Sequence, residues 1–391
     1  MKLKLFFIIL CFSGFGIVSF LPDLFNISGQ IVTIGFRVLT FSLGIVVLFS
    51  NFSNLNFGNQ ALSILGLTIF YLLRLINDLF YSSLEFGRSG DEILMLCIGV
   101  SFFPAFVLGT IKNNNILRKA VNPLIILLTT ICFLAIYMGL RNGFSYRLAG
   151  NSILNPISLG HVAASSLILI VVKYFDRRDS FPRLLLLSCF IISLFTIVMA
   201  ASRGPLLALI LVLGLFGFFY FKKYRKQLFI IALIITICAP VILSVSSSNG
   251  AIFTDRLHVD LGDGNSDAEA RVLLWKTGIE LFLENPIIGS QTTTHIGYPH
   301  NILIEILMSM GIIGGIVFLF LIISVSKKIL WLLKNKDSLI WVGLLFFQYF
   351  LGAILSGTLY SSSFLWMSLG LFYSIDFRKI FVEKKGGIPF L

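Results

Sequence analysis

Apolar runs close to the length of a bilayer crossing occupy most of this sequence, and they constrain the fold more than any single motif. About 20 apolar residues span the hydrocarbon core as a helix. Twelve such runs lie near residues 3–20, 31–49, 61–76, 93–111, 123–140, 156–174, 183–200, 205–221, 228–245, 302–325, 338–355 and 358–375. Strands of a membrane barrel would alternate apolar and polar residues. Leu184-Leu185-Leu186-Leu187 and Ile230-Ile231-Ala232-Leu233-Ile234-Ile235 do not alternate. The runs therefore predict an all-α polytopic membrane protein with about twelve transmembrane helices. Composition agrees: 12% of residues are charged, against about 25% in soluble domains.

The formal net charge of +12 would suit a nucleic-acid surface only if a solvated basic face existed, and a chain this apolar offers none. In a membrane protein basic residues report topology instead. With the N-terminus inside, the inner segments hold Lys2/Lys4, Lys112/Arg118/Lys119, Lys173/Arg177/Arg178/Arg183, Lys222/Lys223/Arg225/Lys226, Lys327/Lys328/Lys334/Lys336 and Arg378/Lys379/Lys384/Lys385. The outer segments hold Arg88, Arg141, Arg147, Arg203, Arg256, Arg271 and Lys276, and Arg37 and Arg74 fall inside spans. This bias predicts both termini in the cytoplasm. The apolar run after Lys2 and Lys4 exceeds a signal-peptide core of about 7–15 residues and has no A-x-A site, so an uncleaved first helix is expected. Cys11, Cys97, Cys132, Cys189 and Cys238 each sit inside an apolar run and read as small buried hydrophobes.

One long excursion interrupts the spans, from Ser246 to Pro299. It divides the chain into a bundle of nine spans (1–245), an outer loop (246–300), and three further spans with a cytoplasmic tail (301–391). Within the loop, Ala268 to Asn285 has apolar Val272, Leu273, Trp275, Ile279, Phe282 and Leu283, acidic Asp267 and Glu269 at its start, and Asn285-Pro286 at its end. That pattern predicts a surface-lying amphipathic helix over the outer mouth. An EF-hand reading of the acidic stretch fails, because Ala268 and Leu274 stand where glycine and glutamate are needed. G-x-x-x-x-G-K-[ST], H-E-x-x-H and G-x-S-x-G sequences are absent, which removes the obvious nucleotide-driven and hydrolase readings.

The remaining polar candidates gather at the outer side. Arg147 precedes the sixth run, Arg203 opens the eighth before Pro205, Arg271 lies on the loop helix, and His300-Asn301 begins the tenth with Glu305 a turn deeper. Arg37 and Arg74 sit at similar depth. Guanidiniums converging beside a helix N-terminus make a diphosphate site, since their forked donors match phosphate oxygens. A neutral imidazole nearby suits a general base for a hydroxyl nucleophile. The chemistry suggested is group transfer from a lipid diphosphate. Blander readings stand beside it: Arg147 or Arg271 anchoring to headgroups or loop carboxylates, Glu305 complementing its helix start, and His161 as a packing residue.

Several of these residues carry a resemblance. His300-Asn301, then nine residues to Gly311 and two more to Gly314, resembles the histidine motif of the O-antigen ligase family. Ala201-Ser202-Arg203-Gly204 is similar to that family's Ser-Arg-Gly segment. Arg271 to Gly289 (with Trp275, Phe282 and Asn285-Pro286) resembles the stretch leading to the histidine, and Arg147-x-x-Gly150 with Asn155-Pro156 a weaker element. The resemblance implies a GT-C-like glycosyltransferase in the bacterial inner membrane with its active site facing the periplasm. It implies an undecaprenyl-diphosphate-linked glycan as donor, lipid A–core or a growing glycan as acceptor, and no metal, ATP or other cofactor. Arg203 and Arg271 would hold the diphosphate and His300 would activate the acceptor hydroxyl, with Arg147, Arg37, Arg74, Glu305 and Asn301 around the substrate. Gly311, Gly314 and Gly315 would serve helix packing. A ligase is expected, a polymerase of the same family is the alternative, and a lipid-linked glycan flippase is the rival from another class. Transporters usually place polar groups near the midplane in repeated halves, and neither sign is visible here.

Overall fold

The computed structural model describes the chain apart from residues 52–58, 82–83, 85–88, 143–147, 152, 177–180, 222–225, 228–265 and 386–391. Among the described residues the regular structure is helical, and the only strand-like contact is an isolated bridge between Thr294 and Gly297. In chain order the helices are α1 (residues 2–18), α2 (Leu21–Phe25), α3 (Gly29–Phe49), α4 (Asn59–Tyr81), α5 (Gly90–Gly109), α6 (Asn114–Asn142) and α7 (Pro156–Phe175). They continue with α8 (Arg183–Met199), α9 (Arg203–Phe221), α10 (Ser266–Glu284), α11 (Ile302–Lys334), α12 (Ile340–Ser356), α13 (Ser363–Tyr373) and α14 (Phe377–Lys385).

The expected count of about twelve spans is corrected by this architecture. Six helices among the described residues are long and apolar enough to cross a membrane, namely α3, α5, α6, α7, α9 and α11. Length of an apolar run is not length of a helix. The first run forms consecutive pieces of 8, 5 and 4 residues, the middle one a wide π turn. The runs at 183–200 and 338–355 yield helices of 17 residues each. The last run loses its first residues to a turn at Thr358–Ser362, leaving 11 residues in α13. α4, which bears Arg74 and Asp78, is not among the six, and the run at 228–245 lies outside the described residues. The protein is an all-α polytopic membrane protein with about six membrane-spanning helices, and nothing in this architecture supports a GT-C-like arrangement.

The bundle is organised around α7. Its window is 78% buried, the highest share among the six spans, and it packs against α6, α8 and α12. Gly160, Ala163, Ala164, Ser165 and Ser166 give it a slim waist, which lets neighbouring backbones approach. Thr129, Ser166 and Ser193 tie α6, α7 and α8 through hydroxyl contacts of 3.1 and 2.8 Å. Their polar atoms are thus satisfied inside the bundle, as an apolar surround demands. At its N-terminus the Asn155 side chain accepts the Ser158 N–H at 2.8 Å and Pro156 takes the first helical position. α10 lies on α11, burying Leu274 and leaving Val272, Leu273, Ile279 and Leu283 exposed.

α11 is broken at Gly311, where φ is 61° and ψ is −160°. The segment after α10 is wedged into that break. Ile312 and Ile313 donate their N–H groups to the carbonyls of Pro286 and Ile287 at 2.8 and 3.3 Å, and Ser290 N–H donates to Met308 O at 2.8 Å. Inside an apolar medium every backbone polar group must find a protein partner, and here the wedge supplies the partners that the helix lost.

Candidate active site

His300 sits between two anchored neighbours. Trp275 Nε1–H donates to the Pro299 carbonyl at 2.9 Å, which ties α10 to the residue before the histidine. Asn301 caps α11, its side-chain oxygen accepting the N–H groups of Leu303 and Ile304 at 3.0 and 3.3 Å. Between them His300 takes a left-handed φ of 51°. A non-glycine residue held there costs about 1–3 kcal/mol and persists only where its surroundings over-determine it. The imidazole is half-buried and lies on the Tyr298 ring with centroids 4.1 Å apart. Its Nδ1 is buried with no hydrogen-bond partner among the described residues. Burial and, secondarily, the positive charge of Arg271 push the His300 pKa below the ordinary 6.5.

Arg271, exposed on α10, donates one long hydrogen bond of 3.4 Å to Leu355 O near the end of α12. The same Leu355 reaches the Arg203 segment: a Cβ on Gly204 would stand 4.0 Å from Leu355 Cβ. Arg203 opens α9, is exposed, and has no protein partner among the described residues. Ala201 just before it holds a φ of 46°, a second left-handed non-glycine position at the same end of the bundle. The tight entry into α9 follows from contact with α7, since a Cβ on Gly160 would meet the Pro205 ring at 3.0 Å and Ser202 Cβ at 3.7 Å. Arg271, its neighbour His300 and the segment that carries Arg203 therefore meet at the Leu355 end of α12, and among the described residues neither arginine has a carboxylate partner.

The other candidates lie elsewhere or are occupied. Arg37 Nη2 stands 3.5 Å from Glu92 Oε1 and links α3 to α5. Arg74 Nη2 donates to the carbonyls of Ile288 and Gly289 at 3.2 and 2.8 Å, clasping the wedge that enters α11. Glu305 is fully buried and both oxygens are engaged, by Tyr71 OH at 2.9 Å and Leu359 N–H at 2.8 Å. It joins α4, α11 and the turn before α13. Arg147 lies outside the described residues. The wedge itself, with Asp78 receiving Thr292 N–H and hydroxyl at 2.5 and 2.8 Å, had only Pro286 and Gly289 as sequence signals, and neither says which helix receives it.

Removing the clasp gives a test of its structural share. Arg74→Ala forfeits two charge-assisted bonds to backbone, and we expect a loss of about 1–2 kcal/mol after allowance for their partial exposure. Thermal unfolding of the purified protein in detergent reads it, and an unchanged midpoint would show that the wedge holds without Arg74.

Arg203, Arg271 and His300 fall together in one stretch that resembles a known family. Residues 188–319 carry partial homology to the O-antigen ligase family. The O-antigen ligase match contains Arg203, Arg271 and His300 with the Gly311 break, and excludes Arg37, Arg74 and Arg147. The likeness covers that stretch alone, and the rest of the chain lies outside it. No curated protein and no solved structure matches the chain.

Proposed function

We propose that this protein transfers a polysaccharide from undecaprenyl diphosphate to an acceptor hydroxyl, that of lipid A–core, at the periplasmic face of the inner membrane, with both termini cytoplasmic. The observation that carries the reading is the meeting of Arg271 with His300 and, through Leu355, with the Arg203 segment. The acceptor O–H attacks the anomeric carbon of the donor glycan while the bond from that carbon to the diphosphate oxygen breaks. His300 takes the hydroxyl proton as general base. Arg203 and Arg271 hold the charge that develops on the departing lipid diphosphate. The glycosyl–diphosphate linkage is already activated, so the reaction draws on no nucleotide, and transfer should proceed in detergent with EDTA and without ATP.

The decisive experiment incubates purified protein with lipid-linked glycan and lipid A–core and sizes the products. Glycan on core is the expected result. Longer lipid-linked chains would make the protein a polymerase, and strict dependence on an ion gradient would favour transport.

A pH profile tests the base. Neutral His300 is the reactive form, and its pKa is lowered from 6.5, so activity should persist below pH 6.5 and fall only as pH drops through the lowered value. Arg271→Gln removes one of the two causes and should move the acidic limb of kcat/KM upward, toward 6.5. The same sign applies to folding: the neutral ring is favoured in the native state, so acid costs stability below the unfolded value. A limb that ignores Arg271→Gln would separate the two residues functionally.

A further inference from the structure

Close to the segments that carry the two arginines lies a histidine that the reading above does not use. His161 is on the second turn of α7, where its ring lies against α12: a Cβ on Gly352 would stand 2.6 Å from His161 Nε2. Gly352 is one turn below Leu355, whose carbonyl accepts from Arg271 and whose side chain borders Gly204. The residue preceding the histidine, Gly160, abuts Pro205 and Ser202 on either side of Arg203 and Gly204. His161 therefore lies next to the segment that carries Arg203 and one turn of α12 below the carbonyl that Arg271 reaches.

The surrounding hydrogen bonds decide which ring nitrogen carries the proton. Gln348 Nε2 stands 2.9 Å from the His161 carbonyl, and a carbonyl only accepts, so the amide must present its NH2 there. Gln348 Oε1 on the other side receives the Ser165 hydroxyl at 2.9 Å, and Ser165 in turn contacts Tyr349 OH at 2.7 Å. The same oriented amide nitrogen lies 3.4 Å from His161 Nδ1. Nδ1 is thus the acceptor, and the ring proton belongs on Nε2. That nitrogen has no protein partner among the described residues and the ring is only partly buried.

We propose that His161 is a further ligand of the donor diphosphate, a neutral Nε2–H donor close to the segments that carry Arg203 and Arg271. The inference rests on the proposed glycan transfer and adds a residue to its binding site. An uncharged donor is well suited to this depth, because it costs far less to hold in an apolar surround than a third cation would. Gln348 and Ser165 are its positioning residues, since they set the tautomer without reaching the ligand.

The test measures binding of farnesyl diphosphate, with farnesyl monophosphate as comparison, to the full-length protein in detergent, together with KM and kcat for the lipid-linked donor. His161→Asn keeps an amide near the Nδ1 position but has nothing at Nε2. His161→Gln places an amide N–H near Nε2. We expect His161→Asn to raise both the farnesyl diphosphate Kd and the donor KM about 10- to 100-fold, the range for a lost hydrogen bond to a charged group. His161→Gln should restore binding to within a few-fold of wild type, with unchanged thermal midpoints in both. Wild-type diphosphate affinity in a folded His161→Asn protein, while Arg203→Ala still binds weakly, overturns the inference alone. Failure of the wild-type protein to prefer diphosphate over monophosphate overturns the diphosphate reading, and this ligand with it.

Discussion

Replacing His300 with alanine should lower glycan transfer by about 100- to 10,000-fold, the share that a positioned general base supplies, while insertion and thermal stability stay near wild type. The contrast arises because the fold around His300 does not depend on its ring. Trp275 holds the Pro299 carbonyl, and Asn301 caps α11 through Leu303 and Ile304. The imidazole adds a stacking contact with Tyr298 and presents a buried Nδ1 with no hydrogen-bond partner among the described residues. A buried polar atom left without a partner invites an explanation, and an acceptor hydroxyl in the substrate complex is the one we favour. The measurement is single-turnover transfer by purified His300→Ala beside its melting curve. A wild-type rate would remove the base assignment and leave the histidine as a backbone device. A low rate with a collapsed melting temperature would return it to a structural role.

Gly311→Ala should cost about 3–5 kcal/mol, the combination of a strained left-handed residue and overpacking against rigid atoms, and should prevent recovery of monodisperse protein. The φ of 61° with ψ of −160° is glycine territory. A Cβ there would also be driven against the carbonyl of Ile287 and to 2.7 Å from Gly289 N. Those are backbone atoms of the wedge, so no side chain can swing aside. Gly289 faces the same geometry from the other side, with a φ of 75° and a Cβ position 2.5 Å from Met310 N. Gly315→Ala is the control. Its Cβ would meet only Leu307 Cδ2 at 3.0 Å, a side-chain tip that can move, and alanine favours helix by about 1 kcal/mol over glycine. Size-exclusion profiles and melting temperatures of the two variants should therefore diverge. Equal behaviour would mean that the break at Gly311 is not needed for folding.

The contrast between Gly311 and Gly315 also shows how far the chain could be read without coordinates. Spaced four apart in an apolar run, the two look like one close-packing stripe, yet only Gly311 is the point where the helix opens for another segment. Hydropathy is equally blind to the turn at Thr358–Ser362, because uncharged residues continue through it. Runs therefore overcounted the spans. The loop helix was more legible: acidic residues before Ala268 and Asn285-Pro286 after it bracket the helix found at Ser266–Glu284. Of the candidate site residues, His300, Arg203 and Arg271 were chosen on their local patterns alone, while the sealed state of Glu305 and the pairing of Arg37 with Glu92 depend on residues far away in sequence.

Sequence by itself determined that this chain is a helical membrane protein, that its polar candidates are few, and that three of them stand in segments similar to the O-antigen ligase family. These properties are local sums of transfer energy or short-range motifs, so they survive without a fold. Only the tertiary structure decided how many helices are long enough to cross, which arginines are already occupied, and where His161 lies. Those outcomes turn on contacts with backbone groups such as Leu355 O and Gly289 O. Every residue carries a carbonyl, so sequence cannot single one out; the packing of distant helices selects it.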